Sequence, residues 1–454
     1  MHTHKTPGAV GLALLLVASL ARAQSHDHAA PPDTTQHASM PGMSQHDMTG
    51  MDMSRMDMQG MHGDHMHMSG MYGPYTMSRE ASGTSWQPDA AGHRGLHLRH
   101  GEWMLMLHGG GNLVFNHQGG PRGDDKVVSD NMLMAMAQRP LGIATFGLRT
   151  MLSAEPATIG KDGTPLLLQT GESADGVTSL IDRQHPHDLF MELATSLSVV
   201  RGANSLFVYG GLPGEPALGP PAFMHRFSGM NLPEAPITHH WLDSTHIMYG
   251  VLTAGAVVDR VKFEASTFRG REPDENRWNI EPPNKLDSHS FRLSVNPADA
   301  WSLQMSYGRI TSPEQLEPEV NQDRTTASAI YDHRWSGGHW EGALAWGRNQ
   351  NHPGHTLDAF MLEASAEVHE SHTLFMRAEH VQKDELFVAP DARAGRVFEV
   401  GALKAGYRYD LWRSEHAVTG LGVLGSLAFV PSELRSAYGN SPASVLVFLH
   451  VGLR

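Results

Sequence analysis

The stretch Trp301–Gly308, WSLQMSYG, alternates strictly between large apolar side chains and small or polar ones. A period of two places the two kinds of side chain on opposite faces of an extended strand. The same alternation returns over 261–267, 290–295, 403–410 and 445–453. We therefore predict an all-β domain that covers residues 101–454.

Short and long connections alternate along this domain. Short turns are predicted near Arg139–Pro140, Arg201–Ala203, Asp259, Asn296–Asp299, Gly337–Gly338, Glu370–Ser371 and Arg413–Ser414. Longer polar connections are predicted near 117–126, 155–186, 213–245, 269–287, 311–323, 349–356, 384–395 and 430–442. Seven turns and eight loops join sixteen strands, although 14 or 18 strands stay open. Short periplasmic turns and long external loops are typical of a transmembrane antiparallel β-barrel in the outer membrane.

The positions of the tryptophans favour such a barrel over a soluble β-sandwich. Five of them lie at the short-turn end, where an interfacial aromatic girdle belongs: Trp301, Trp335, Trp340 and Trp412 beside predicted short turns, and Trp103 at the beginning of the first strand. No later apolar run approaches the roughly twenty residues of a transmembrane helix. The polar strand faces should then line a wet lumen, with these charged residues pointing inward: Lys262, Glu264, Arg292, Arg377, Glu379, Lys404 and Arg408.

The start of the chain and its composition restrict the functional class. Residues 1–23 indicate a secretory signal peptide, with an apolar stretch from Ala9 to Leu20 followed by an A-x-A pattern. The absence of cysteine excludes thiolate metal sites and cysteine nucleophiles. A formal net charge of −14 argues against a nucleic-acid partner. No Gly-x-Ser-x-Gly elbow is present, and we expect neither enzymatic activity nor an organic cofactor.

Residues 24–80 have no amphipathic period and few of the side chains that build a core. We predict a disordered periplasmic tail here, followed by a linker over 81–100. The tail includes SMPGMSQHDMTGMDMSRMDMQGMHGDHMHMSGM, residues 39–71. The candidate metal ligands in it are Met40, Met43, His46, Met48, Met51, Met53, Met56, Met58, Met61, His62, His65, Met66, His67, Met68 and Met71.

The donor types of this tail predict which metal it binds. Thioether sulfur is soft and suits Cu(I) or Ag(I), whereas imidazole and carboxylate accept Cu(II). A spacer would normally be built from Gly, Ser, Pro, Glu or Lys, and methionine is prone to oxidation. We therefore expect a copper ion, in first place Cu(I), as the bound species.

A signal peptide, a Met/His/Asp-rich tail and a carboxy-terminal barrel together resemble the copper-resistance outer-membrane proteins, the B component of bacterial copper-resistance operons. That family has tail repeats of the type Met-Asp-His-Ser-x-Met, and this chain has MDMSRM at Met51–Met56, with Met53 in the histidine position. The barrel is longer than is usual for the family, and the chain ends in Arg454 instead of an aromatic residue. The resemblance implies a role in copper tolerance.

Two predicted loops are rich in histidine. The third contains His225 and Arg226, followed by the pattern H-H-x-x-D-x-x-H formed by His239, His240, Asp243 and His246; the second ends in DRQHPHD with His185 and His187. The third loop joins the predicted fifth and sixth strands, the position of the loop that narrows the pore of sixteen-strand porins. These residues therefore form a candidate constriction. Local salt bridges or metal coordination are the alternatives.

The primary functional prediction is an outer-membrane barrel for copper or silver resistance that collects metal on its tail and passes it to the pore or to a periplasmic copper oxidase or carrier. One alternative is a general or substrate-specific porin with an incidental tail. Another is a periplasmic metal buffer anchored by a closed barrel. Trimerisation is expected only by analogy with sixteen-strand porins.

Overall fold

The computed structural model describes residues 69–92 and 94–454, and its main element is a closed antiparallel barrel of sixteen strands. The strands are β1 (Trp103–Gln118), β2 (Asp125–Leu141), β3 (Ala144–Leu152), β4 (Phe190–Arg201), β5 (Asn204–Gly211), β6 (Val251–Val258), β7 (Val261–Phe268), β8 (Ser288–Val295), β9 (Trp301–Ile310), β10 (Asn321–Trp335), β11 (Gly338–His352), β12 (Thr356–Val368), β13 (His372–Lys383), β14 (Phe398–Arg413), β15 (Ala417–Phe429) and β16 (Ala443–Leu453). Each strand pairs with the next along the chain, and β16 pairs with β1 to close the barrel. The predicted strand number is confirmed.

The remaining elements are short. The helices are α1 (Glu155–Thr158), α2 (His239–Leu242) and α3 (Arg435–Tyr438), with single 3-10 turns at Met77–Arg79, Phe223–His225, Ser244–His246 and Ser432–Leu434. A short strand, Leu96–His100, pairs with the beginning of β1, and Thr164–Pro165 pairs with Arg183–Gln184. Within 69–92 and 94–454, no helix has the length and apolar character needed to cross a membrane.

The connections follow the predicted alternation. Seven turns of two to five residues lie at one end of the barrel, at 142–143, 202–203, 259–260, 296–300, 336–337, 369–371 and 414–416. The loops at the other end are L1 (119–124), L2 (153–189), L3 (212–250), L4 (269–287), L5 (311–320), L6 (353–355), L7 (384–397) and L8 (430–442). L6 differs from the prediction of a long loop at 349–356. It has three residues because the β-ladder of β11 and β12 continues almost to its tip.

The outer surface of the barrel is apolar, as expected for strands that face lipid. Phe263 and Phe291 are 55% and 54% exposed, and Leu344 is 58% exposed. The predicted aromatic girdle is present at the short-turn end, where Trp301 lies opposite Tyr331 with ring centroids 4.7 Å apart. Four of the five predicted girdle tryptophans are strongly exposed: Trp301, Trp335, Trp340 and Trp412.

The charged residues predicted to point inward do so, but the prediction of a wet lumen is wrong. All seven are buried: Lys262, Glu264, Arg292, Arg377, Glu379, Lys404 and Arg408. Their charges are instead paired with one another or with segments inside the barrel. Arg292, for example, donates to Glu264 at 2.9 Å and to Thr84 at 2.9 Å. The chain itself fills the space that the sequence pattern assigned to water.

Part of this filling comes from residues 69–92, which we call the inner segment. Ser198 of β4 and Ser205 of β5 donate hydrogen bonds to the main-chain oxygens of Met71 and Tyr72, at 2.8 and 2.6 Å. Ser302 of β9 donates to Trp86 O. These strand residues all lie near the short turns, so the inner segment fills that end of the lumen.

The inner segment corrects two predicted boundaries. The sequence predicts a tail up to residue 80 and a linker over 81–100, yet most residues from Gly70 to Ala91 are buried inside the barrel, and Gln138 donates to the main-chain oxygen of Ser69. Tyr72 and Trp86 are almost fully buried, and Arg79 is enclosed between the Tyr75 and Trp86 rings at 4.8 and 4.7 Å. These aromatic anchors are what distinguish the inner segment from the preceding sequence. The part of the tail over 24–68 lies outside the described residues.

Candidate functional site

L3 crosses the lumen from β5 and β6 to the opposite wall. Arg226 donates to Glu363 of β12 at 2.7 Å and to Asp243 of the same loop at 2.8 Å, and all three side chains are at most 1% exposed. Thr238 donates to Glu379 of β13 at 2.9 Å. Such buried, charge-assisted contacts are costly to break, so L3 is held as a fixed element inside the barrel.

Close packing against β11 depends on a glycine. A Cβ atom at Gly347 would lie 2.4 Å from the main-chain oxygen of Trp241, which belongs to α2. Beside this contact, Asn349 donates to His240 O at 3.0 Å and the Trp241 indole N–H donates to Leu357 O at 3.1 Å. These contacts fix α2, and therefore the first two histidines of the H-H-x-x-D-x-x-H pattern, against the wall.

L2 and L3 bring five of the predicted histidines together. We call His185, His187, His239, His240 and His246 the histidine cluster. Ring centroids are 5.3 Å apart for His187 and His246, 5.2 Å for His239 and His246, and 6.4 Å for His185 and His240. The two loops are separated in sequence, so neither spacing pattern alone predicts this arrangement.

Oxygen acceptors orient three rings of the histidine cluster through their Nδ1 atoms. His187 Nδ1 contacts Glu155 at 2.9 Å, His239 Nδ1 contacts Asp243 at 2.8 Å, and His246 Nδ1 contacts the main-chain oxygen of Asp243 at 2.7 Å. Carboxylate or carbonyl partners of this kind fix the tautomer of a metal-binding imidazole and leave Nε2 as the ligand atom. His246 Nε2 is buried without a hydrogen-bond partner among the described residues.

Burial keeps most of these imidazoles neutral. It lowers the pKa of His239, and it lowers the pKa values of His240 and His246 well below the ordinary range. Burial acts in the same direction on His187, but the adjacent Glu155 carboxylate reverses the effect and raises the pKa of His187 above its ordinary value. Since a metal ion binds the unprotonated ring, the neutral histidines are competent ligands near neutral pH.

A methionine wall lies on the inward face of β1–β3. Its members are Met104, Met106, Met132, Met134, Met136 and Met151. In the β-ladder, His108 lies opposite Met134, and Met134 lies opposite Met151. Directly opposed residues have Cβ atoms about 5 Å apart, so these three side chains form one row across the wall.

L3 covers this row with a further imidazole. His225 Nε2 lies 3.3 Å from the sulfur of Met151, and its ring centroid is 6.0 Å from that of His108. His108 Nδ1 contacts the main-chain oxygen of Arg94 at 2.9 Å, which leaves Nε2 of that ring available. We call His108, Met134, Met151 and His225 the soft-donor row. Burial lowers the pKa of His225 well below its ordinary value.

A cavity of about 140 Å³ reaches members of both groups of donors. Its lining includes His108 of the soft-donor row, Met132 of the methionine wall, His185 and His187 of L2, and Phe223 of L3. The Phe223 ring also lies between histidines, 6.3 Å from His187 and 5.5 Å from His239. The cavity is therefore bordered by a thioether of the methionine wall and by imidazoles from both groups of donors.

The structure brings the predicted loop residues together but does not test the predicted tail ligands. Those from Met40 to Met68 lie outside the described residues. Met71 is 1% exposed and belongs to the inner segment. Ser244 accepts a hydrogen bond from Arg324 at 3.0 Å, and His246 Nδ1 contacts the Asp243 main chain.

Sequence reasoning missed the methionine wall and two carboxylates, Glu155 and Glu172. A signal for the wall exists in NMLMAMAQ, residues 131–138, where methionine occupies every second position. The apolar face of a barrel strand is expected to face lipid, and the alternation alone does not separate methionine from the other apolar side chains. No local spacing marks Glu155 or Glu172, because only the folding of L2 brings them to the histidines.

No protein-family model matches the chain, and no curated protein matches it. Among solved structures, the barrel is similar to OprB of Pseudomonas putida, with a TM-score of 0.50 and 9% identity over 78% of this chain and 94% of that one. OmpF of Salmonella typhi in complex with daunomycin gives a TM-score of 0.49 and 11% identity over 79% and 100% of the two chains. An anion-selective porin from Comamonas acidovorans gives 0.45 and 10% over 77% and 100%. At these identities the likeness concerns the fold, which is that of a porin-like outer-membrane β-barrel.

Proposed function

We propose that this porin-type barrel resides in the outer membrane and handles soft metal ions, copper or silver, without being an enzyme. Residues 39–68 collect the ions on the periplasmic side, and the soft-donor row receives them inside the barrel. The role is metal tolerance, as the resemblance to the copper-resistance outer-membrane proteins also implies. Cu(I) and Ag(I) are the preferred ions because thioether and imidazole are the donors that suit them.

The methionine wall is the observation that carries this proposal. The interior face of a porin-like barrel is normally polar. Here six methionines occupy inward positions of three adjacent strands, in contact with histidines. The alternative is that methionine serves as an adaptable filler against the inner segment, a use for which its flexible side chain is also suited. The two interpretations differ in metal binding and not in packing.

The test replaces sulfur without changing volume. Met134→Leu combined with Met151→Leu removes two thioethers from the soft-donor row, and Leu for Met swaps usually cost less than about 1.5 kcal/mol. The matched control is Met305→Leu on the lipid-facing side of β9, where the side chain is 58% exposed. Full-length proteins in detergent are titrated with Ag(I), and with Cu(I) against a chromogenic chelator.

We expect the double variant to lose one tight Ag(I) equivalent and the control to lose none. Equal stoichiometry and affinity in all three proteins would favour methionine as filler. A second comparison removes residues 39–68 and leaves the inner segment intact, which should lower copper tolerance of cells without preventing barrel assembly. Unchanged tolerance and unchanged copper binding after that deletion would contradict a role for the tail.

The closed metal buffer is a second candidate, because the lumen is filled. Arg226, Lys262 and Arg377 are almost inaccessible to solvent, whereas a wide pore would leave such side chains hydrated. Planar-bilayer recording separates the possibilities. Metal binding without conductance indicates a buffer, and metal-sensitive conductance indicates a pathway through the barrel. A large conductance that changes neither on addition of copper nor on removal of residues 39–68 would favour a general porin.

A further inference from the structure

A second, chemically different metal site lies between L2 and L3. The donor atoms of Glu172, His185 and His240 all lie within 4.8 Å of one another. We propose that these three residues bind a divalent transition-metal ion, such as Cu(II), Zn(II), Co(II) or Ni(II), which clamps L2 to L3 inside the barrel. This inference goes beyond soft-metal handling and does not depend on it.

The ring of His185 is oriented so that Nε2 faces Glu172. His185 Nδ1 lies 3.0 Å from the main-chain oxygen of Pro186, which can only accept, so this nitrogen carries the proton. Nε2 of the same ring faces Glu172 Oε1, 2.6 Å away. A divalent ion bound to both atoms would replace this direct contact, with a small separation of the two side chains to admit the ion.

His240 reaches the same point because residue 171 is glycine. A Cβ atom at Gly171 would lie 2.3 Å from His240 Cε1, and the φ of +117° is itself unfavourable for other residues. The main chain of His240 is held by Asn349 at 3.0 Å, which fixes the ring from the side of β11. The loop preceding Glu172 is therefore shaped around this imidazole.

The surroundings hold the Glu172 carboxylate in position. Arg277 of L4 contacts the other carboxylate oxygen of Glu172 and lies 3.5 Å from Asp188. Outer partners of this kind hold a ligating carboxylate in position. Further buried or half-buried carboxylates act electrostatically on the same region: Glu272, Glu314 and Glu385. The basic groups named with them are Arg277, Arg324 and Lys383.

The donor set also determines the class of ion. Two imidazoles and one carboxylate are borderline and hard donors, which favour divalent ions, whereas Cu(I) and Ag(I) favour the thioethers of the soft-donor row. Three protein ligands leave a coordination position for water or for a ligand in transit. The two sites are therefore expected to discriminate between the oxidation states of copper.

The experiment titrates the full-length protein with Co(II) and, separately, with Cu(II). Co(II) is followed by its visible d–d absorption and Cu(II) by the nitrogen hyperfine pattern in electron paramagnetic resonance. Variants are His240→Gln and Glu172→Gln, the second of which nearly preserves side-chain shape. The control is His355→Gln, which removes a half-exposed histidine that also contacts a carboxylate, Asp384, at 2.8 Å.

We expect each site variant to lose one Co(II) equivalent, or at least tenfold in affinity for it, and to lose the two-nitrogen Cu(II) signal. The His355→Gln protein should behave as wild type. The folded state of Glu172→Gln is checked by the mobility of the unheated protein in gels. If the folded variant retains the wild-type Co(II) stoichiometry and Cu(II) spectrum, the residues form an ion-pair network only and the proposal is wrong. Met134→Leu with Met151→Leu should leave these readouts unchanged, which separates this test from that of the soft-donor row.

Discussion

Replacing Arg226 with methionine should release L3 from the barrel wall. The Arg226 guanidinium is 1% exposed and holds Glu363 and Asp243 at 2.7 and 2.8 Å. Removing one partner of a buried ion pair typically costs about 3–5 kcal/mol. Glu363 keeps Arg377 at 3.0 Å and Asp243 keeps His239 at 2.8 Å, so we take the lower end, about 3 kcal/mol.

This cost is carried by the docked state of L3, because Arg226 contacts β12 through the side chain of Glu363 and takes no part in the main-chain pairing of the sixteen strands. At about 1.4 kcal/mol for each factor of ten, the ratio of undocked to docked L3 should rise about a hundredfold. In planar bilayers the Arg226→Met protein should therefore show frequent openings where the wild type shows few or none. The methionine side chain fills much of the same volume, which limits any packing defect.

Arg348→Met is the matched control for this prediction. Arg348 pairs with Asp358 at 2.9 Å on the outside of the barrel and is 47% exposed. Exposed pairs contribute about 0.2–1 kcal/mol, so gating should change by less than about fivefold. If Arg226→Met gates like Arg348→Met and like wild type, while remaining folded, L3 is not held by this ion pair and the reasoning fails.

Two further predictions concern the loop end and the turn end of the barrel. Burial, together with the charge of Glu172, raises the pKa of Glu272 to about 8, and burial raises that of Glu385 to about 7. Because these folded-state pKa values exceed the unfolded ones, the protonated carboxyls stabilise the fold fully below about pH 4.5, and this stabilisation is lost as the pH rises through 7 to 8. The thermal unfolding midpoint in metal-free buffer should therefore fall between pH 5 and 9. In the double variant Glu272→Gln with Glu385→Gln, the midpoint should fall by less over the same pH range. At the other end, replacing residues 69–92 by a Gly/Ser chain of equal length should open the lumen, because Lys262 and Arg292 lose their acceptors on Thr84. The bilayer conductance of this variant should be severalfold higher than that of wild type and of a chain lacking only residues 39–68. An unchanged conductance would mean that L3 alone closes the barrel.

The barrel was predictable because its determinants are local. Alternation of side chains within a strand depends only on strand geometry, and lipid outside requires the apolar set to point outward. Strands such as β9 and β14 are therefore predictable from the sequence, and turn residues such as Asn296 and Gly337 indicate where neighbouring strands end. The inward direction of Lys262 and Arg408 follows from the same alternation.

The filling of the lumen required the tertiary structure. The sequence indicates that Lys262 points inward, but it does not reveal that Thr84, almost two hundred residues earlier, supplies an acceptor for it. Segments such as 69–92 have no periodic pattern because they make side-chain contacts with many strands and no ladder of their own. Their aromatic anchors, Tyr72 and Trp86, are buried only because the barrel surrounds them, so their role is not evident from the sequence.

By itself, the sequence determined the barrel, the lipid-facing surface and the donor types of the segment 39–71, and it favoured sixteen strands over 14 or 18. Only the tertiary structure decided that the lumen is filled, and that His185 meets His240 beside Glu172. It also decided that Met134 and Met151 share a row with His108 and His225. The physical reason is range: a strand is specified by alternation between neighbours, whereas a site between loops is specified by contacts between residues far apart in the chain.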